Sequence, residues 1–255
     1  MRTIVCSCFL VFLVSDVFGQ SPEPPLSDTR LPVSTLVRED VFAGWRANDM
    51  ERFARAEKNI DLLLEQRPRS RAELLAWKGA TKIYRAVLAR EAEKTEEFEH
   101  SYQESLDFFA EARKLAPKHP AVAAIVGGSY VVFGDRLPEK YRAAAWSECY
   151  DSYQALWSLQ GQFVDQLPRH IGGELLAGLA QSAQRTGREE KLDEYLDKII
   201  EVLPDSQYEQ VANQWKTDPL VAANSNISCK YCHDDGRLAQ SMARLEDRRS
   251  RTGRQ

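Results

Sequence analysis

The sequence has too little cysteine for a disulfide framework. Five cysteines occur in 255 residues, and only Cys149, Cys229 and Cys232 lie beyond residue 20. Three thiols leave one unpaired, whereas disulfide-stapled domains carry a larger and even set. This odd number favours a shared role for Cys229 and Cys232, with Cys149 as a small buried hydrophobic residue.

Basic charge, long apolar runs and familiar catalytic motifs are lacking as well. The net charge is −4, so we expect no nucleic-acid partner, which usually requires a strongly basic face. Beyond residue 20 no apolar run approaches the roughly 18 residues that span a bilayer. No Ser/His/Asp set, carboxylate pair or phosphate-binding glycine loop is present, which favours a carrier or binding protein over an enzyme.

The N-terminus has the pattern of an export signal. Arg2 precedes the apolar stretch 4–14, and Val17 and Gly19 supply an aliphatic and a small residue at the −3 and −1 positions of a cleavage site. This pattern predicts a signal peptide over residues 1–19 and a bacterial protein that is periplasmic or secreted. Residues 20–34 are rich in proline and predict an extended linker.

From about residue 34 to residue 216 the apolar residues keep helical spacing, and no alternating, strand-like segment occurs. Glycine and proline alternate along this stretch, and Pro68, Pro117 and Pro168 are each followed 10 or 11 residues later by a glycine, which indicates a weak internal repeat. The recurring pairs are Gly44 and Pro68, Gly79 and Pro117, Gly127 and Pro168, and Gly178 and Pro204.

These spacings resemble the tetratricopeptide repeat, in which a small residue lets two antiparallel helices approach and a proline ends the second. The resemblance is best at 36–68 and 173–204; the middle units are longer and need longer helices or loops. It implies an all-α fold, a solenoid of about four antiparallel helical hairpins over 35–218, with a groove for a protein partner. A compact helical bundle is the alternative.

One motif near the C-terminus carries chemistry. Cys229, Cys232 and His233 stand in the run CKYCH. Two thiols at this spacing can add to the two vinyl groups of one haem, and the adjacent imidazole can then reach the iron. The motif resembles that of c-type cytochromes. It implies one covalent haem c, thioether bonds from Cys229 and Cys232, and His233 as the proximal iron ligand.

Other uses of the two thiols remain open. A zinc site would need His100, His119 or His170 to complete its ligands, because no second CxxC pair exists. A redox motif of the thioredoxin type should open a helix in an α/β unit, which the pattern does not contain. A plain disulfide between Cys229 and Cys232 is the third possibility.

The haem attachment segment is predicted over residues 219–243, followed by a basic flexible tail over 244–255. Residues 229–255 are too few to wrap a haem, so either the repeats supply one wall of the pocket or the haem is unusually exposed. Met242 is slightly favoured as the distal iron ligand over an open or histidine-filled position. The run 238–245 predicts a short helix, however, and a helix would shorten the reach of Met242 and favour His119 or His170.

An aromatic stripe marks the helix that follows Pro138. Trp146, Tyr150, Tyr153 and Trp157 fall on one helical face, which is either a packed face between hairpins or an aromatic wall for a peptide or a haem edge.

The combined features predict a periplasmic repeat protein with one covalent haem, acting in electron transfer and in docking to a redox partner. The alternative is an exported interaction or scaffold module without haem, whose CxxCH serves as a thiol pair or metal site. A haem enzyme such as a peroxidase would need an open iron position and a polar distal pocket, of which the sequence gives no sign.

Overall fold

The helical periodicity corresponds to a succession of α-helices in the computed structural model, which describes residues 26–218 and 236–252. These residues form ten α-helices and no β-strand, which confirms the all-α prediction. The helices are α1 (Val33–Ala47), α2 (Met50–Gln66), α3 (Arg71–Glu91), α4 (Thr95–Leu115), α5 (Pro120–Phe133), α6 (Glu139–Gln160), α7 (Arg169–Arg185), α8 (Glu189–Val202), α9 (Gln207–Thr217) and α10 (Arg237–Thr252).

Two sequence predictions lie outside the described residues: the signal peptide at 1–19 and the attachment motif of Cys229, Cys232 and His233. Within the described ranges, no helix combines the length and the apolar character that crossing a bilayer requires.

The helices pack mainly with their neighbours in the chain. The closest pairs are α1 with α2, α3 with α4, α5 with α6, and α7 with α8. The first helices of these pairs also pack in succession, α1 on α3, α3 on α5 and α5 on α7, and α9 adds to α8. The spatial order of the helices therefore follows their order in the sequence.

The two middle units, in which glycine and proline are farther apart in the sequence, contain longer helices. α3 and α4 have 21 residues each and α6 has 22, whereas α1 has 15 and α8 has 14. Longer helices account for the spacing from Gly79 to Pro117, whereas from Gly127 to Pro168 the longer connections 134–138 and 161–168 also contribute.

The recurring glycines lie at close helix–helix contacts. In three pairs a glycine of the first helix meets an aromatic ring of the second: Gly44 on Phe53, Gly79 on Phe109, and Gly127 on Tyr153. An added Cβ would lie within 2.9 Å of the ring in each case, so only glycine allows this approach. Gly178 differs, because its neighbour is Tyr153 of the preceding pair, and it joins α7 to α6.

The aromatic stripe on α6 is mainly a packing face. Trp146 and Tyr153 are 3% and 4% exposed. Tyr150 and Trp157 are half-buried against α8 and its preceding turn, with Arg188 4.2 Å from the Tyr150 ring. Tyr153 also reaches an internal cavity.

The folded region begins earlier than the predicted boundary at residue 35. The guanidinium of Arg67 donates to the carbonyl oxygens of Ser27 (2.8 Å) and Leu31 (3.1 Å), and Leu31 is buried. α1 then begins at Val33. The second half of the predicted 20–34 linker is thus part of the helical domain, since these contacts attach it to the end of α2.

Candidate functional site

A cavity of about 390 Å³ lies between α1, α3, α5, α6 and α7 and is partly open to solvent. Apolar and aromatic side chains form most of its surface, with one cation and one anion among them. The side chains that matter below are Arg38, Phe42, Trp45, Trp77, Tyr153 and Glu174.

One face of α1 forms a wall of this cavity. Ser34, Arg38, Phe42 and Trp45 all line it, at positions i, i+4, i+8 and i+11 of one helix. Such spacing places side chains on one face, and the four residues extend over roughly 17 Å at 1.5 Å per residue. This wall was not predicted from the sequence, although the helical spacing of its four residues is visible there.

The aromatic rings of the wall support one another. The Trp45 ring lies 4.6 Å from Phe42 and 4.9 Å from Phe133, and the indole Nε1 of Trp77 donates to Ser34 Oγ at 2.9 Å. Trp45 Nε1 differs from Trp77 Nε1: it is buried and has no hydrogen-bond partner among the described residues. A buried donor without a partner costs free energy, so an acceptor brought by a ligand would be favourable here.

Positive charge gathers at the end of the cavity where α7 begins. His170 directly precedes Ile171, which lines the cavity. Partial burial, together with the charges of Arg237 and Arg38, holds the pKa of His170 below its ordinary value. The anion of the lining, Glu174, accepts a hydrogen bond from the Tyr208 hydroxyl at 3.1 Å.

The C-terminal helix α10 is attached to α1 beside this end of the cavity. The carboxylate of Glu39 accepts hydrogen bonds from the backbone N–H groups of Gly236 (3.2 Å) and Leu238 (3.0 Å). A carboxylate at a helix N-terminus satisfies unpaired donors and complements the helix dipole. Leu238, Met242 and Leu245 pack against the hydrophobic core.

The predicted helix at 238–245 is confirmed, and it extends over Arg237–Thr252. α10 thus crosses residue 243, the expected boundary between the attachment segment and the basic tail. Met242 lies inside this helix and is half-buried against the core. From the sequence, a histidine is expected to be a better distal iron ligand than Met242 when residues 238–245 form a helix.

The structure separates the three other histidines. His119 and His170 directly precede Pro120 and Ile171, both of which line the cavity. His100 lies on α4 with an exposed side chain, 3.5 Å from Glu104. Within 26–218 and 236–252 no group of three His, Cys, Asp or Glu side chains is arranged to hold a metal ion.

The cavity fits at most a small part of a haem. Arg38 could pair with a propionate, but the rings of Phe42, Trp77 and Tyr153 are only 6%, 5% and 4% exposed and offer little surface to a porphyrin. Among the described lining residues there is no histidine, and the side chain of His170 is exposed.

Comparison of the chain with protein-family models, with curated proteins and with solved structures gives no match. The function is therefore inferred from the sequence motif and from the geometry of the site.

Proposed function

We propose that this protein is a periplasmic electron carrier: a helical-repeat domain that bears one covalent c-type haem and docks a redox partner. The observation that carries the proposal is the CKYCH motif together with the attachment of the residues that follow it. Gly236 and Leu238, three and five residues after His233, are hydrogen-bonded to Glu39 on α1. The proposed motif is therefore separated by only a few residues of chain from a contact with the helical domain.

The repeat domain is proposed to be a tetratricopeptide-like solenoid of four hairpins. Three features support this architecture over a compact bundle: the pairing of consecutive helices, the succession of α1, α3, α5 and α7, and the three glycine–aromatic contacts within pairs. In a solenoid the first helices of the hairpins form one face. The cavity, lined largely by those four helices, would belong to the groove on that face.

Cys229 and Cys232 would hold the haem by thioether bonds, and His233 would bind the iron. When bound, the haem supplies one-electron exchange between its ferric and ferrous forms. The helical domain would exclude water from one side of it, and a partner would dock over the groove beside it.

Expression of the full chain in bacteria that assemble haem c tests the proposal. We expect a coloured protein that begins near Gln20 and carries the mass of one haem. Cys229→Ala and Cys232→Ala should lose this mass, whereas Cys149→Ala, which changes a buried thiol, should keep it.

The opposite result is a colourless protein whose Cys229 and Cys232 react with an alkylating reagent. It would overturn the haem proposal and favour the alternative, an exported interaction module with a thiol pair or metal site.

A further inference from the structure

We propose that the cavity between α1, α3, α5, α6 and α7 binds a small apolar molecule that carries a single carboxylate, with Arg38 as the partner of that carboxylate. Such a ligand is distinct from the proposed haem, and its binding does not depend on the haem being present.

The cavity is larger than a packing defect. Protein interiors contain few voids larger than a water molecule, whereas this space measures about 390 Å³, a volume typical of sites for small molecules. α5 leaves the space unfilled because it contributes mainly short side chains to the lining, at helical spacing: Ala121, Ala124, Gly128 and Ser129. The cavity therefore follows from the sequence of α5.

The lining limits the size of the ligand. An apolar cavity of roughly 150 Å³ holds one benzene molecule, so a cavity of about 390 Å³ has room for roughly two to three groups of that size. The rings of Phe42, Trp77 and Tyr153 are only 6%, 5% and 4% exposed, so each offers a small contact area. Both limits favour a compact ligand, such as one aromatic ring with a short acid side chain.

Arg38 determines the charge of the ligand. It is half-buried in a mostly apolar lining, and it is the one cation among the described lining residues. Its planar guanidinium has five N–H donors, and a pair of them matches the two oxygens of a carboxylate. Such a charge-assisted pair is stronger where part of the water is excluded. The complementary group on the ligand is therefore a carboxylate.

The anion of the lining, Glu174, does not call for a positive group on the ligand. Its carboxylate accepts a hydrogen bond from the Tyr208 hydroxyl at 3.1 Å. Four residues earlier on the same helix, burial holds the pKa of His170 below its ordinary value, and the positive charges of Arg237 and Arg38 add to this effect. The potential at this end of the cavity is therefore positive, which favours a carboxylate over an ammonium group or a zwitterion.

Isothermal titration calorimetry of the full chain tests the proposal with three matched probes. The probes are 3-phenylpropionate, its neutral amide 3-phenylpropanamide, and the zwitterion L-phenylalanine, which share a ring and a chain and differ in charge. We expect 3-phenylpropionate to bind, and the amide to bind about tenfold more weakly, because a hydrogen bond to a charged group contributes more than a neutral one. L-phenylalanine should also bind more weakly than 3-phenylpropionate.

Variants of Arg38 test its role. Arg38→Gln should weaken the binding of 3-phenylpropionate about tenfold and change that of the amide by less than about threefold, so that the acid loses its advantage. Arg38→Lys keeps the charge without the planar fork and should bind the acid with intermediate affinity. The control is Arg71→Gln, which removes an exposed arginine outside the cavity lining and should leave both affinities unchanged.

Filling the cavity tests the location of the ligand. At Gly128 only the Tyr153 hydroxyl lies within 4 Å of a new Cβ, at 3.9 Å, so the side chain of Gly128→Leu has room to enter the cavity. This variant should lose binding of both the acid and the amide. Ala110→Leu, on the exposed face of α4, should bind them as the unchanged chain does. Circular dichroism checks that each variant is folded.

Several results would overturn the proposal. They are the absence of binding at millimolar 3-phenylpropionate, equal affinities for the acid and the amide, and unchanged binding in a folded Gly128→Leu. Tighter binding of L-phenylalanine than of 3-phenylpropionate would also overturn it, since both charges of the lining would then be used. A colourless protein that binds 3-phenylpropionate as expected would support this site while overturning the haem proposal, so the two failures are distinguishable.

Discussion

Glu39 accepts a hydrogen bond of 3.0 Å from the backbone N–H of Leu238 and so joins residues 199 positions apart in the chain. The predicted attachment motif ends at His233, three residues before Gly236, whose backbone N–H also donates to this carboxylate. The same carboxylate also pairs with Arg52 at 3.3 Å, which fixes its side chain.

Replacing Glu39 should loosen α10. In Glu39→Ala the first N–H groups of α10 lose their acceptor, a loss that costs about 1 kcal/mol for a helix cap. Hydrogen exchange of α10 amides should then be roughly fivefold faster, while α4 amides are unchanged. The control is Glu65→Ala, an exposed position on α2. Equal exchange in α10 of both variants would contradict a role for Glu39 in holding this helix.

Two glycines should respond to alanine in opposite directions. At Gly79 the new Cβ would lie 2.6 Å from the buried Phe109 ring, and such overpacking costs about 1–3 kcal/mol. At Gly128 only the Tyr153 hydroxyl is near, at 3.9 Å, so alanine should stabilise the helix by up to about 1 kcal/mol. Urea unfolding measures both, and a shift in the same direction would refute the close-contact account of Gly79.

Burial should decide the effect of an introduced charge. Leu176 is 0% exposed, and Leu176→Asp would place a carboxylate inside the helical core at a cost of about 3–5 kcal/mol. Leu196→Asp should behave alike. Leu115 is 52% exposed, and Leu115→Asp should cost less than about 1 kcal/mol, mostly from a negative charge at the C-terminus of α4. Thermal unfolding by circular dichroism distinguishes the three variants.

The distal iron ligand should be a histidine rather than Met242. The helix from Arg237 gives residues 237–242 a rise of only about 1.5 Å each, which restricts the reach of the Met242 sulfur. We expect the ferric protein to lack the weak charge-transfer band of iron–methionine bonding. His170→Ala should alter the visible spectrum, whereas Met242→Ala and the exposed control His100→Ala should not. A band that disappears in Met242→Ala would reverse this assignment.

The parts of the fold that depend on neighbours in the chain were predictable. Gly44 and Phe53, which meet across the first hairpin, are only nine residues apart. α10 was recognisable because Leu238, Met242 and Leu245 recur at helical spacing. It continues to Thr252 because no glycine or proline interrupts the run.

The parts of the fold that depend on contacts between residues distant in the sequence were not predictable. No local pattern indicates that Glu39 bonds to Leu238, or that α7 faces α1 across a cavity, because both follow from how helices distant in sequence pack together. The sequence places Trp45 on an apolar helical face but does not show whether it belongs to the core or to a binding surface. An aromatic residue at such a position is usually core. Only the tertiary structure shows its N–H without a partner.

The burial of Cys149 has a consequence for oxidative maturation. Its side chain is inaccessible, and its Sγ lies 3.4 Å from the carbonyl oxygen of Gly127 in the contact between α5 and α6. Thiol–disulfide exchange requires access to the attacking sulfur. While this hairpin is closed, Cys149 cannot form a mixed disulfide with either motif cysteine. In an oxidising compartment, once the predicted signal peptide with Cys6 and Cys8 is removed, Cys229 and Cys232 then have only each other as an intramolecular partner. Prior folding of this helix pair therefore prevents scrambling and keeps the two thiols available for their own chemistry.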